Sequence, residues 1–280
     1  GGQQLPPDEH LRVERQALQL VRQSMEDYSS LQGNSGGGLL IIFPELTLPE
    51  HFVLNDLRNI ARKRQIGFVA GLEYRQRRDE ELVENRLAIV LPGEWIGDGK
   101  PQYAEICLQP KLYPSKSERR EIDEHLGYRI ENHHRQYLFQ LQDIGHFSCF
   151  DCYDFTDIRL RALLSGRLDY AVISALNKDL DSYDHLAEAS IRDMHTFVVI
   201  ANSGQFGRSK LLGPYYDRHE RTIFELRGAE LESAVVRSLD IKELREFQKQ
   251  SETDNGQCEG QKFKALPAGW KMRRGDETSE

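Results

Sequence analysis

The chain has 280 residues, 39% hydrophobic and 29% charged, with a formal net charge of -8. That length and apolar content suffice for one large core or two modest ones, and the acidic balance argues against nucleic-acid binding as the main role. No stretch approaches the roughly 20 apolar residues of a membrane span, and no secretory leader is visible. Four scattered cysteines (Cys107, Cys149, Cys152 and Cys258) make no disulfide framework, so a reducing, cytoplasmic setting is expected. The sequence opens Gly-Gly-Gln-Gln-Leu-Pro-Pro without an initiator Met, as expected of a trimmed tag or a piece of a longer polypeptide.

Apolar positions Leu11, Leu18, Leu20, Val21 and Met25 among charges predict an amphipathic helix over 9–30. Ser29 to Gly38 reads as a Gly/Ser/Asn loop. The run Leu39-Leu-Ile-Ile-Phe43, bounded by glycine and Pro44, predicts a short buried strand. A helix is expected over 50–65, then strands over 66–73, 85–91 and 103–108, and one long strand over 137–150. A helix over 157–166, a strand over 168–175, a helix over 181–193 and a strand over 195–202 follow. Thr222–Arg227 and Ser233–Ser238 read as two more strands, and 240–249 as a helix. Residues 74–84 and 123–136 are long, charged and unassigned. The end, 251–280, reads as an extended tail anchored by Phe263, Leu266 and Trp270. The alternation predicts an α/β fold with helix-covered sheets in one domain.

Three positions invite chemistry. Glu45 follows Leu-Leu-Ile-Ile-Phe-Pro directly, where a carboxylate is costly unless paired or used. Desolvation there is expected to raise its pKa toward that of a general base at neutral pH. Most such strand-end glutamates turn to solvent. Lys111, in Gln109-Pro-Lys-Leu-Tyr-Pro114, could stabilise an oxyanion beside a reacting carbonyl, although most lysines are merely solvated. Cys149 and Cys152 form a C-x-x-C. A redox pair is disfavoured by the intervening Phe-Asp. A zinc site lacks two further ligands at suitable spacing, since neither His146 nor His133-His134 supplies it. One nucleophilic cysteine beside one buried filler is the remaining reading.

Taken in order, Phe43-Pro-Glu45, Pro110-Lys-Leu112 and a strand running into Cys152-Tyr-Asp154 resemble the nitrilase (carbon–nitrogen hydrolase) superfamily. The Arg159–Gly166 helix, Asn177-Lys-Asp179, the Arg192–Asn202 stretch and Gly207–Pro214 extend the resemblance over about 9–249. It implies an α-β-β-α four-layer sandwich over 1–250 with a truncated first strand, followed by the 251–280 tail. It also implies a Glu-Lys-Cys triad: Glu45 as general base, Lys111 as oxyanion stabiliser and Cys152 as nucleophile. A second glutamate orients the site, with Glu118 the best match and Glu121 the alternative. Cys149-Phe-Asp151 fits the same pattern almost as well and stays open, although a nearer helix N-terminus, which lowers a thiol pKa, favours Cys152.

The implied reaction is hydrolysis of a small-molecule amide or nitrile through a covalent thioester, without metal or other cofactor, by a homo-oligomer. A second reading is a non-catalytic or effector module. Asn177-Lys-Asp179 and Phe263-Lys-Ala-Leu-Pro267 are similar to nitrilase-like domains fused to bacterial defence reverse transcriptases. On that reading nucleic acid would be met only through a fused domain, in antiviral defence.

Overall fold

Alternating side chains along the central strands sort the apolar residues into three separate cores, and these cores define the layers. The computed structural model describes residues 7–31, 37–97, 102–141, 144–228, 230, 232–253 and 262–273. Cys258 and the Gln3–Pro6 stretch lie outside the described residues, as does part of the 29–38 loop.

In chain order the strands are β1 (Leu40–Ile42), β2 (Gly67–Gly71), β3 (Arg75–Arg77), β4 (Leu82–Glu84), β5 (Arg86–Pro92), β6 (Ala104–Pro110), β7 (Arg129–Ile130), β8 (Phe139–Leu141), β9 (Gly145–Asp151), β10 (Tyr170–Ala175), β11 (Phe197–Asn202), β12 (Ser209–Leu212) and β13 (Thr222–Leu226). One sheet has the order β1-β2-β5-β6 and another β13-β12-β11-β10-β9-β8. A small third sheet, β3-β4-β7, stands apart from these.

The two large sheets face each other. Val69, Leu87, Ile89 and Leu91 meet Phe147, Cys149, Tyr170, Val172 and Phe197 between them. Phe68, Ala70, Ala88 and Val90 point the other way, against Ala17 and Val21 of the helix Pro7–Leu31 and against Phe52, Val53, Leu57 and Ala61 of the helical stretch 50–64. On the far side, Phe150, Ala171, Ile173, Val198 and Ile200 pack under Leu160 and Leu164 of the helix Ile158–Leu164 and under Tyr183, Ala187 and Ile191 of the helix Leu180–Asp193. The result is an α-β-β-α sandwich, as the period-2 burial of the strands requires.

Several expectations need correction. The stretch 137–150 is two antiparallel strands, β8 and β9, and the chain enters β9 at Gly145 with a positive φ of 103°. The 233–238 stretch joins no ladder; Val236 packs against the first outer core instead. β12 and the helix Lys116–Leu126 were not anticipated. The last helix runs Ile241–Thr253, past the expected start of the tail. Residues 262–273 dock through Phe263 and Trp270, two of the three expected anchors. Phe263 is buried and stacks on Tyr215 at 5.1 Å, and Trp270 Nε1 donates to the Met194 carbonyl at 2.9 Å.

Sheet direction places the site. β6 is antiparallel to β5, which is antiparallel to β2, which is parallel to β1. Two reversals cancel, so β1 and β6 end at the same edge. In the other sheet β9 and β10 are parallel and also end together.

Candidate active site

Glu45, Lys111, Cys152 and Leu176 each follow the C-terminal end of one of these strands, where open α/β sheets present their clefts. Glu45 sits in a turn that the chain holds tightly. The N–H groups of Thr47 and Leu48 both donate to the Gly71 carbonyl at 3.0 Å. A Cβ on Gly71 would lie 2.3 Å from the Pro44 carbonyl and 2.4 Å from the Glu45 Cα, so only glycine lets the turn approach β2 this closely. Lys111 is fixed by its own N–H, which donates to the Asn85 carbonyl at 2.9 Å.

The side chains converge. Lys111 Nζ lies 2.5 Å from Glu45 Oε1 and 2.9 Å from Glu118 Oε2. Asn85 Nδ2 donates to Glu45 Oε1 at 2.8 Å and to Glu118 Oε1 at 2.9 Å, tying the two carboxylates to one amide. The Leu176 N–H donates to Glu45 Oε2 at 3.1 Å, and Tyr74 donates to Glu118 Oε1 at 3.2 Å. Glu118 also closes a capping box with Ser115 at the start of the helix Lys116–Leu126, so the helix end and the lysine share one carboxylate. Glu121 is exposed.

Cys152 opens a helical turn, Cys152–Thr156, with φ at 45°. The left-handed region costs a non-glycine residue roughly 1–2 kcal/mol, a strain that functional positions often carry. Its Sγ accepts from the Tyr183 hydroxyl at 3.5 Å, and the Leu176 N–H also faces it. Asp154 anchors the turn by accepting from the N–H groups of Leu112 at 3.0 Å and Tyr113 at 2.7 Å, which binds the cysteine turn to the lysine loop. Cys149 lies three residues earlier between the two sheets, fully buried and remote from these groups.

The electrostatics differ from the expectation for both Glu45 and Cys152. Burial pushes the Glu45 carboxyl up, but the Lys111 charge and hydrogen bond, with the neighbouring Asp151 and Asn85 side chains, leave it below its usual range. Lys111 is held well above its usual value because Glu45, Asp151 and Glu118 outweigh its desolvation. The Cys152 thiol is pushed up, not down: burial and then the Glu45 charge dominate over Lys111, the Tyr183 hydroxyl and the Leu176 N–H. The helix N-terminus does not overcome them. The resting arrangement is a neutral thiol facing a carboxylate and an ammonium, so a proton must move before sulfur can attack.

Asn85, Tyr183, Leu176 and Gly71 were missed in the sequence. Of these only Gly71 had a local signal, a glycine closing an apolar strand. A possible metal cluster lies elsewhere: Glu84, Glu131 and His133 bring ligand atoms within 4.8 Å of one another. The Arg77 guanidinium already pairs with Glu84 at 3.3 Å and with Glu131, which neutralises the cluster from within. A cavity of about 820 Å³ lies between the N-terminal helix, β1 and the 199–211 stretch; Glu45, Lys111 and Cys152 do not line it. No helix of the described residues is long and apolar enough to cross a membrane.

Searches by sequence returned no matching family model and no matching curated protein. Solved structures do match in shape. A CN-hydrolase superfamily protein from Xanthomonas campestris, with an arsenic adduct in its active site, superposes with a TM-score of 0.54 at 17% identity over 82% of this chain and 88% of its own. The NitN amidase from Nesterenkonia sp. AN1 gives 0.54 at 15% identity over 90% and 95%. A mutant of the Nesterenkonia amidase, with the acetamide moiety of fluoroacetamide added to its active-site cysteine, gives 0.53 at 15% over 80% and 82%. The fold is the nitrilase-type sandwich.

Proposed function

We propose that this chain is a carbon–nitrogen hydrolase of the amidase type, acting on a small amide through Cys152. The convergence of Cys152, Glu45 and Lys111 at one buried strand-end edge carries the reading, with the Leu176 N–H facing both the thiol and the carboxylate. Glu45 takes the thiol proton as sulfur attacks the amide carbon. Lys111 and the Tyr153 N–H hold the negative charge that develops on the carbonyl oxygen; one such donor is worth about 10²–10³ in rate. The C–N bond breaks as Glu45 returns the proton to the leaving amine, leaving a thioester on Cys152. Glu45 then takes a proton from water, whose oxygen attacks the thioester, and the C–S bond breaks to release a carboxylic acid and the thiol. Glu118 and Asn85 hold Lys111 and Glu45 in register. A nitrile would pass through the same attack. The adducts on the active-site cysteine and in the active site of the structural neighbours support this choice of chemistry.

Intact-mass labelling with iodoacetamide tests it. One fast-reacting cysteine is expected, slowed in Lys111→Met and absent in Cys152→Ala. Several cysteines reacting at equal, slow rates would overturn it.

A second reading, an assembly or effector module of a larger protein such as a defence reverse-transcriptase fusion, draws on the large cavity beside β1. β1 is one of the two edge strands of its sheet, and an added strand could pair there. An inert Cys152 together with association through that edge would favour this reading.

A further inference from the structure

The reaction above leaves one buried acid without a role. Asp151 is the last residue of β9, immediately before Cys152, and is fully buried. No N–H or O–H of the described residues reaches either of its carboxyl oxygens. The nearby donors are committed elsewhere. Ser174, its register partner on β10, gives its hydroxyl to the Phe43 carbonyl at 2.9 Å. Asn85 Nδ2 is shared by Glu45 and Glu118, and the Leu176 N–H serves Glu45. The charged groups acting on Asp151 are Glu45 and Asp154, both acids, and Lys111, which already contacts Glu45 and Glu118. After burial, the largest influence on the Asp151 carboxyl is the neighbouring Glu45 charge. Two carboxyl groups form a hydrogen bond only when one of them carries a proton.

We propose that Asp151 is held as a neutral carboxylic acid whose O–H donates to Glu45, a positioning residue that aims the base and keeps it anionic. The division of the proton follows from the surroundings. Lys111 and Asn85 contact Glu45 and favour its charge, whereas Asp151 has no donor of its own. Burial and the Glu45 charge push Asp151 well above the usual carboxylate range while Glu45 falls below its own. Paired acids with opposed environments divide their tasks in this way. The functional part rests on the hydrolase reading, because it gives Glu45 a proton to receive. The protonation state does not.

The test uses the full chain in two measurements. At about pH 8, Asp154, raised to about 6, is ionised, and the proposal requires Asp151 to keep its proton. The infrared spectrum is then expected to show a carboxylic-acid C=O band that disappears in Asp151→Asn. No such band in the native chain, or a band unchanged in Asp151→Asn, overturns the proposal. The pH profile of Cys152 alkylation by iodoacetamide is the second measurement. Asp151→Val should slow the reaction about tenfold, the size of one lost charge-assisted hydrogen bond, and move the Glu45-dependent limb to higher pH. Asp151→Asn, which keeps a donor, should rescue most of that loss. Equal losses in Asn and Val, or no change in Val, overturn the proposal. If Asp151→Val does not fold, the Asn variant and the band decide. A band present beside an inert Cys152 supports the shared proton and removes the hydrolase reading instead.

Discussion

Replacing Glu45 by glutamine separates the base from the scaffold. Oε1 accepts from Lys111 and Asn85 and Oε2 from the Leu176 N–H, so all three contacts ask for an acceptor. Glutamine keeps one oxygen for Lys111 and Asn85 and turns its NH2 toward the Leu176 N–H. Leaving that buried donor unsatisfied costs about 1–3 kcal/mol. Lys111 keeps Glu118 at 2.9 Å, so its charge is not stranded. At about 2–4 °C per kcal/mol for a chain this size, the melting temperature should fall by roughly 2–12 °C while the fold persists. The chemical effect is larger. If Glu45 is the base, the thiol proton passes to it inside the site, so alkylation of the native chain by iodoacetamide should be nearly flat with pH around neutrality. In Glu45→Gln the proton must leave to solvent, and the rate should climb about tenfold per pH unit. Removing the Glu45 charge also eases ionisation of the thiol, which that charge pushes up, and this narrows the gap at alkaline pH. At neutral pH the deficit should be about 10²–10⁴, the range of a lost general base. A folded Glu45→Gln chain that alkylates at the native rate with a flat profile would refute the assignment.

Three further outcomes follow from the same geometry. Asp154 is fully buried and its pKa is raised from 3.8 to about 6, mainly by burial, against two backbone hydrogen bonds that lower it. The folded chain then holds this proton more tightly than the unfolded one. Its contribution is complete below pH 3.8 and is lost as pH rises through about 6, worth about 3 kcal/mol. Urea midpoints should show that pH-dependent loss in the native chain and not in Asp154→Asn; parallel profiles would contradict it. Cys149→Ala removes a sulfur from the inter-sheet core and should cost about 1–2 kcal/mol in urea unfolding while leaving the fast alkylation intact. Phe263→Ala removes the ring that stacks on Tyr215 and meets Phe247 at 5.5 Å. It should cost about 3–5 kcal/mol and open the 262–273 segment to proteolysis; native-like resistance would show that the segment docks through other residues.

The sequence shows the skeleton of this site more readily than its supports. Glu45 and Cys152 close strongly apolar strands and Lys111 follows a strand end, positions that are visible without a structure. Glu118 was reachable through the Ser115–Glu118 spacing of a capping box, although the helix behind it was missed because Ile122 is its one fully buried side chain. Asn85, Tyr183 and Asp151 carry no local signature. Asn85 meets Glu45 across 40 residues and Tyr183 meets Cys152 across 31, so only the strand order brings them together. Local pattern also misled. Phe139, Leu141 and Phe147 read as one apolar strand, but the chain reverses ahead of Gly145. Ala234-Val-Val236 has strand-like composition, yet it covers a core without pairing. The two pKa expectations failed for different reasons: at Glu45 burial was weighed without Lys111, and at Cys152 the helix N-terminus was weighed without burial. Lys111 overrides it at Glu45, and the Glu45 charge adds to it at Cys152.

The most direct test of the central claim is to treat the chain with a limiting amount of iodoacetamide and map the modified peptide by mass spectrometry. The account predicts a single acetamide adduct on Cys152, lost in Cys152→Ala and retained in Cys149→Ala. An adduct on Cys149 or Cys107 instead, or none on a folded chain, would contradict it.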